Sequence, residues 1–385
     1  MPLKPESVNR GRPGWHYGRV THRFASIAYV AARRAVNRVT GLAPLAYMPR
    51  RGRNAGEPPT LGLVGWYGHG NYGDELFLEV FREHLQPFLT LDVLLDGSGR
   101  RSIGRRLGST IRASDAILIG GGDLVIPWPT WTRYWDRTYL RRPVFIAGIG
   151  VPTWQKPDDG AVKRLRRFFQ HPSVRLIGAR DPESSTWIED HLEPSASVVT
   201  TPDLVCGLTL PTVERPTDPP IFGVAVRDRN HPDDLSNVRR MCERAAELGY
   251  RVRRIVLATG HTRQKDLVAT NELGLFGTEL VASDDVDTIS RAIGECTVMA
   301  SMKFHGVVVA TMYGVPSIVL MPTAKNRNFA RAIGRPDFLS AFSNPDLPDL
   351  VTREVRPVPP EVRDRLRREV TAHLADLRRR IETAS

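Results

Sequence analysis

Apolar residues along this chain fall into short uninterrupted runs separated by amphipathic stretches. Residues 61–66 (LGLVGW), 91–95 (LDVLL), 116–119, 143–151 (PVFIAGIGV), 174–181 and 195–205 read as strands. Segments 74–85, 158–170 and one starting at Pro182 carry apolar positions at helical spacing. Strands apolar on both faces and alternating with helices predict a parallel sheet covered on both sides. A Pro-rich polar stretch at 211–220 (PTVERPTDPP) interrupts the rhythm, which then restarts. Strands are expected at 221–227, 251–258, 279–281, 297–301 and 316–321, with helices at 233–248, 262–272, 285–294 and 305–313. A last helix, 359–382, carries the stripe Val362, Leu366, Val370, Leu374, Leu377 and Ile381. Upstream, Val20, Phe24, Ile27, Ala28, Ala31, Ala35 and Val39 recur at helical spacing with Arg23, Arg33, Arg34 and Arg38 among them, which predicts a basic amphipathic helix.

A length of 385 residues suits two domains. The expected fold class is α/β: two Rossmann-like domains facing each other across a cleft in a GT-B-like arrangement. The C-terminal helix would reach back, and the basic helix would precede the first domain. Expected boundaries are 1–58 for the basic arm, 59–212 and 218–345 for the two domains, and 346–385 for the tail and helix. In such folds ligands sit where the carboxyl ends of the strands meet the cleft.

Charge sharpens the picture at one end only. Of a net +12, residues 1–58 supply +9, from eleven Lys and Arg against Glu6 and Glu57. No nucleic-acid motif accompanies that charge, so nucleic acid is not the expected partner. An anionic membrane surface fits the amphipathic helix, and docking of that helix on the protein body is the competing reading. No run approaches the ~20 apolar residues of a membrane span, and the first twenty residues lack a signal-peptide core. The expectation is a cytoplasmic protein, peripheral on the inner face of the plasma membrane. Cys206, Cys242 and Cys296 are widely spaced, so neither a disulfide framework nor a metal site is expected.

Unusual residues gather at the carboxyl ends of the strands. The loop Gly65-Trp66-Tyr67-Gly68-His69-Gly70-Asn71-Tyr72-Gly73-Asp74-Glu75 places four glycines within nine residues ahead of a helix. Such a loop can approach a ligand closely and present free N–H groups to an anion. Asn71 fits an N-cap; Asp74 and Glu75 are candidate bases, or simply complement the helix dipole. Ser301-Met302-Lys303-Phe304-His305-Gly306 sets Lys and His at the next such turn, a combination able to bind and titrate an anion. Arg227 ends another strand, where its fork suits carboxylate or phosphate, or a salt bridge to an Asp. Gly120-Gly121-Gly122-Asp123 reads as a cleft floor with Asp123 a candidate base. The pairs Arg180-Asp181 and Pro202-Asp203 are weaker signals. Trp128 and Trp131, just downstream, are candidates for stacking on sugar faces, or for packing.

Taken together these segments resemble the polysaccharide pyruvyl transferase family. The match runs through GWYGHGNYGDE, ILIGGGD, FIAGIGV, ARDPES, TPDLV, VAVR and ASMKFHGVVVATMYGVPSIVL, in family order over about residues 61–335. The resemblance implies transfer of a pyruvyl group from phosphoenolpyruvate onto two hydroxyls of a sugar, as a cyclic ketal. The acceptor would be a sugar or lipid-linked saccharide of a cell-surface polysaccharide, glycolipid or precursor, and no cofactor would be needed beyond phosphoenolpyruvate as donor. It implies that Arg227, Lys303 and His305 hold the donor, with Ser301 and Gly306 in the same block. His305 would be the acid and Asp74, Glu75 or Asp123 the base. Apart from the resemblance, Gly70, Asn71, Gly73, Gly121 and Gly122 are expected to face the acceptor, with Trp128 and Trp131, whose loop lies outside the family pattern. The family usually carries Arg where this chain has Lys303, and Leu where it has Phe304. Two other readings stay open: a GT-B glycosyltransferase using a nucleotide sugar, and a non-catalytic sugar-binding protein on a membrane.

Overall fold

The computed structural model describes residues 56–95, 111–130, 134–228, 234–352 and 356–384. The N-terminal helix expected between Arg19 and Val39, and Trp131, lie outside the described residues. Residues 47–385 form one compact unit.

The unit contains two parallel sheets. The first is built from β1 (Thr60–Val64), β2 (Thr90–Leu95), β3 (Ala116–Gly122), β4 (Val144–Ile149), β5 (Val174–Ala179) and β6 (Val198–Thr200), in the order β2-β1-β3-β4-β5-β6. β3 and β4 are buried along their whole length, which is why they read as unbroken apolar runs, whereas edge strand β6 is partly exposed. Helices α1 (Tyr72–Leu85), α2 (Asp159–Phe169) and α3 (Pro182–Leu192) connect these strands. Asp158 and Asp181 cap α2 and α3, accepting from Ala161 N at 2.7 Å and Ser184 N at 2.8 Å, and Pro182 occupies the first turn of α3. The segment ARDPES thus contains a helix start.

Residues 208–220 carry neither helix nor strand. Beyond them β7 (Ile221–Ala225), β8 (Arg251–Ile255), β9 (Glu279–Val281), β10 (Val298–Ser301) and β11 (Ser317–Val319) form the second sheet, ordered β11-β10-β7-β8-β9. Its helices are α4 (Ser236–Glu247), α5 (Gly260–Glu272), α6 (Val286–Gly294), α7 (Phe304–Tyr313) and α8 (Ala324–Ala332); α9 (Leu347–Leu350) is a single turn. The final helix, α10 (Pro360–Ala384), starts beside the second half, where Arg363 donates to Met312 O at 3.3 Å. It then returns to the first half: Val370 packs against Gly207, and the Arg378 guanidinium lies 3.9 Å over the Phe88 ring. One apolar core, including Phe77, Ile289, Val308 and Val370, runs through both halves. No described helix is long and apolar enough to cross a membrane.

Candidate active site

Strand register brings the candidate residues together. Ala225 of β7 pairs with Ser301 of β10, so Arg227 and Lys303 emerge side by side two residues later. In the other half Gly122 pairs with Ile149, Ile149 with Ala179, and Ala179 with Thr200. The ends of β3, β5 and β6 therefore present Asp123, Arg180 and Asp203 along one edge. Between the two sets of strand ends lies a cavity of about 760 Å³, lined among others by Asn71, Gly73, Asp123, Arg227, Lys303 and His305.

His305 occupies the first turn of α7, where the helix N-terminus favours an anion. Its ring is 8% exposed and meets Phe77 edge-on at 5.3 Å and Phe304 at 5.1 Å. Gly73 is required beside it, since a Cβ there would lie 1.7 Å from His305 Nδ1. Nε2 stands 3.5 Å from Asp203 Oδ2, an ion-pair separation rather than a close hydrogen bond. Burial pushes the Asp203 carboxyl up, but His305, Arg180 and the Val205 N–H outweigh it and hold the group below its ordinary range. Asp203, in the Pro-Asp segment, is thus the carboxylate that faces His305.

Lys303 is embedded. Its ammonium donates to Leu257 O at 2.7 Å and pairs with Asp266 at 2.5 Å, and burial lowers its pKa against the opposing pull of that carboxylate. Arg227 is exposed on the cavity wall, and no carboxylate among the described residues pairs with it. Among the described residues, the salt bridge to an Asp that was the competing reading is therefore not made.

The glycine loop is a clasp. Glu75 Oε1 accepts from Gly68 N at 2.8 Å and Gly70 N at 3.2 Å. Gly70, at φ +81°, accepts through its carbonyl from Thr259 N at 2.8 Å and Thr262 Oγ1 at 2.5 Å in the other half. Asn71 holds the N-cap position of α1, but its side chain donates to Asp74 Oδ2 at 2.5 Å instead of capping the backbone. Asp74 is 7% exposed and lies behind Asn71, off the cavity wall. Burial raises its pKa to about 6, against the lowering influence of Asn71, His305 and Lys325.

Several expectations need correction. Asp123 is no base: Arg180 Nη2 donates to one oxygen and Lys325 Nζ sits 3.1 Å from the other. Burial would raise its pKa, but the two cations hold it far below the ordinary carboxylate range. Glu75 is committed to the loop N–H groups. Ser301 is fully buried, and its hydroxyl bonds the Lys303 backbone in both directions, so it shapes the turn and does not reach the donor. Gly306 makes room for Ser301 and Leu257. Gly121 and Gly122, both at positive φ, make room for Phe77 and Asp74 and do not face the cavity. Trp128 packs edge-on against Trp154 at 5.3 Å and is not on the cavity wall.

Residues not singled out from sequence also take part. Lys325 opens α8, a helix whose sequence (AKNRNFARA) has too few apolar positions to announce itself. Asp266 on α5 had no motif around it. Arg180 was marked only as half of a pair; it is buried, held between Asp123 and Asp181, and its Nη1 lacks a hydrogen-bond partner. Trp66 and Trp154 are the indoles on the wall, beside Tyr72 and Phe304. The three cysteines are buried and free, and burial pushes the Cys296 thiol up to about 12. Among the described residues no cluster of three or more His, Cys, Asp or Glu is placed to hold a metal ion.

The model of the family described as polysaccharide pyruvyl transferase matches residues 71–322. No curated protein matches the chain. Among solved structures, S. aureus MnaA with UDP is 13% identical, with a TM-score of 0.53, over 82% of this chain and 91% of that one. Anabaena HepE in complex with UDP and glucose is 11% identical, with a TM-score of 0.52, over 83% and 99%. UDP-GlcNAc 2-epimerase from Neisseria meningitidis, bound to UDP-GlcNAc, is 12% identical, with a TM-score of 0.51, over 83% and 99%. Likeness at these identities establishes the fold: two Rossmann-like halves in the GT-B arrangement.

Proposed function

The chain belongs to the polysaccharide pyruvyl transferase family, and from that premise we propose that it moves the pyruvyl group of phosphoenolpyruvate onto two hydroxyls of a sugar. The product is a cyclic ketal on a cell-surface polysaccharide, glycolipid or precursor. The observation that carries this reading is the side-by-side emergence of Arg227 and Lys303 from paired strands, with His305 on the same cavity. Phosphoenolpyruvate bears a carboxylate and a phosphate, so cations must converge on it. Arg227 offers an exposed guanidinium fork, Lys303 a point charge fixed by Asp266, and Lys325 a third cation on the same cavity.

His305, faced by Asp203, delivers a proton to the donor's methylene carbon. The first sugar hydroxyl then bonds the activated central carbon, and the second displaces phosphate from it. Of the two hydroxyl protons, one restores His305 and one leaves with phosphate. Asp74, behind Asn71, accepts from the Asn71 amide and so fixes that side chain on the cavity wall. The cationic side chains and the α7 N-terminus supply the electrostatic stabilisation.

Incubation with phosphoenolpyruvate and a panel of nitrophenyl and lipid-linked sugars tests the proposal. Phosphate release together with a new ketal methyl signal in the proton NMR spectrum is the expected result. His305→Ala should lower turnover by about 10²–10⁴, and His305→Gln separates proton transfer from hydrogen bonding. Turnover of a nucleotide sugar with no effect of phosphoenolpyruvate would overturn the reading in favour of a glycosyltransferase.

A further inference from the structure

Two large apolar side chains are left exposed on the wall of the cavity. Trp154 is 70% exposed and Trp66 is 43% exposed, although indoles usually bury most of their surface. Each is held in place. Trp66 lies parallel on His69, with centroids 3.6 Å apart and planes at 7°. Trp154 is braced edge-on by Trp128 at 5.3 Å. Both belong to the first half: Trp66 follows β1 and Trp154 follows β4, and β3, which ends at Gly122 just before Asp123, lies between those strands. With neighbouring strands about 4.8 Å apart, the ends of β1 and β4 lie roughly 10 Å apart with Asp123 originating between them, and Trp66 and Trp154 follow those ends by two and five residues and line the same cavity.

We propose that this Trp66–Asp123–Trp154 row is the acceptor subsite, which binds a neutral pyranoside through its C–H faces while the second half holds the donor. The indole face carries negative charge density and attracts the weakly positive C–H bonds of a pyranose ring. Asp123 remains ionised and accepts only; a carboxylate has about four lone-pair positions, and Arg180 and Lys325 account for two. The remainder suit neighbouring sugar hydroxyls and orient the ring towards the donor across the cavity. A neutral ring supplies the hydroxyl donors that this carboxylate can accept, which is why one is specified.

The inference rests on the pyruvyl-transfer reading for what happens to the bound sugar, and the two fail separately. Saturation-transfer NMR with the full chain and the methyl glycosides of glucose, galactose and mannose reads sugar binding, and calorimetry with phosphoenolpyruvate reads donor binding. Trp154→Ala and Trp66→Ala should each weaken sugar binding about fivefold to tenfold and leave donor affinity unchanged. Trp154→Phe should recover part of the loss, since a smaller aromatic face remains. Wild-type sugar affinity in both alanine variants, or no sugar binding by the wild type, would overturn the subsite. Trp-dependent sugar binding without phosphoenolpyruvate binding would leave the subsite standing and bring down the pyruvyl-transfer reading.

Discussion

Replacing Asp74 by Asn should make the protein more stable above pH 6 and leave its stability unchanged below pH 4. Burial raises the Asp74 pKa from 3.8 to about 6, so between those values the native state holds a proton that the unfolded chain has lost. Where the native state binds more protons, stability falls as pH rises, and the loss levels off once the native carboxyl has ionised. Roughly two pKa units at 1.36 kcal/mol each amount to about 3 kcal/mol of destabilisation above pH 6. Asparagine keeps the shape, and its amide oxygen can still accept from Asn71 Nδ2, which now reaches Asp74 at 2.5 Å. Urea denaturation of both proteins at half-unit steps from pH 4 to pH 8 would measure the difference. The gap should open from near zero to about 3 kcal/mol. A gap independent of pH would refute the argument, because it would mean the carboxyl is not held protonated by burial. A stability gain with a fall in turnover would mark Asp74 as a destabilising charge kept for its chemistry.

Arg227→Ala should weaken phosphoenolpyruvate binding by about 2 kcal/mol without altering the melting temperature, since the side chain is exposed and makes no ion pair in the described structure. Lys303→Ala should lower both, because Asp266 is left charged and buried, an effect of about 3–5 kcal/mol on stability; calorimetry and thermal melts separate the two cases. Gly73→Ala, which in an ordinary helix position would stabilise by about 1 kcal/mol, should instead displace the His305 ring and suppress turnover; normal activity would mean that the ring can move aside. Deleting residues 1–55, with their cluster of arginines, should abolish flotation with anionic vesicles at low salt and preserve turnover on a short soluble acceptor. Equal flotation of both proteins would remove the membrane reading.

Each strand and most helices follow from short stretches of sequence, because the apolar runs and helical periodicities that specify them are complete within a dozen residues. The same locality placed the glycine loop, the Lys303–His305 turn and Arg227 at strand ends, where a parallel sheet opens its ligand site. α8 escaped because AKNRNFARA gains its helical register from packing rather than from its own pattern. What each side chain touches was decided only in three dimensions. Asp123 looked like a base until Arg180, 57 residues away, and Lys325, 202 residues away, met its two oxygens. Glu75 read as a candidate base and Ser301 as a donor ligand until their hydrogen bonds were found spent on nearby backbone. His305 acquired Asp203 from the other half, and the exposed indoles proved to be Trp66 and Trp154 rather than Trp128. Periodicity is written in neighbours along the chain, whereas ionisation and exposure depend on neighbours in space, and those exist only once both sheets have assembled.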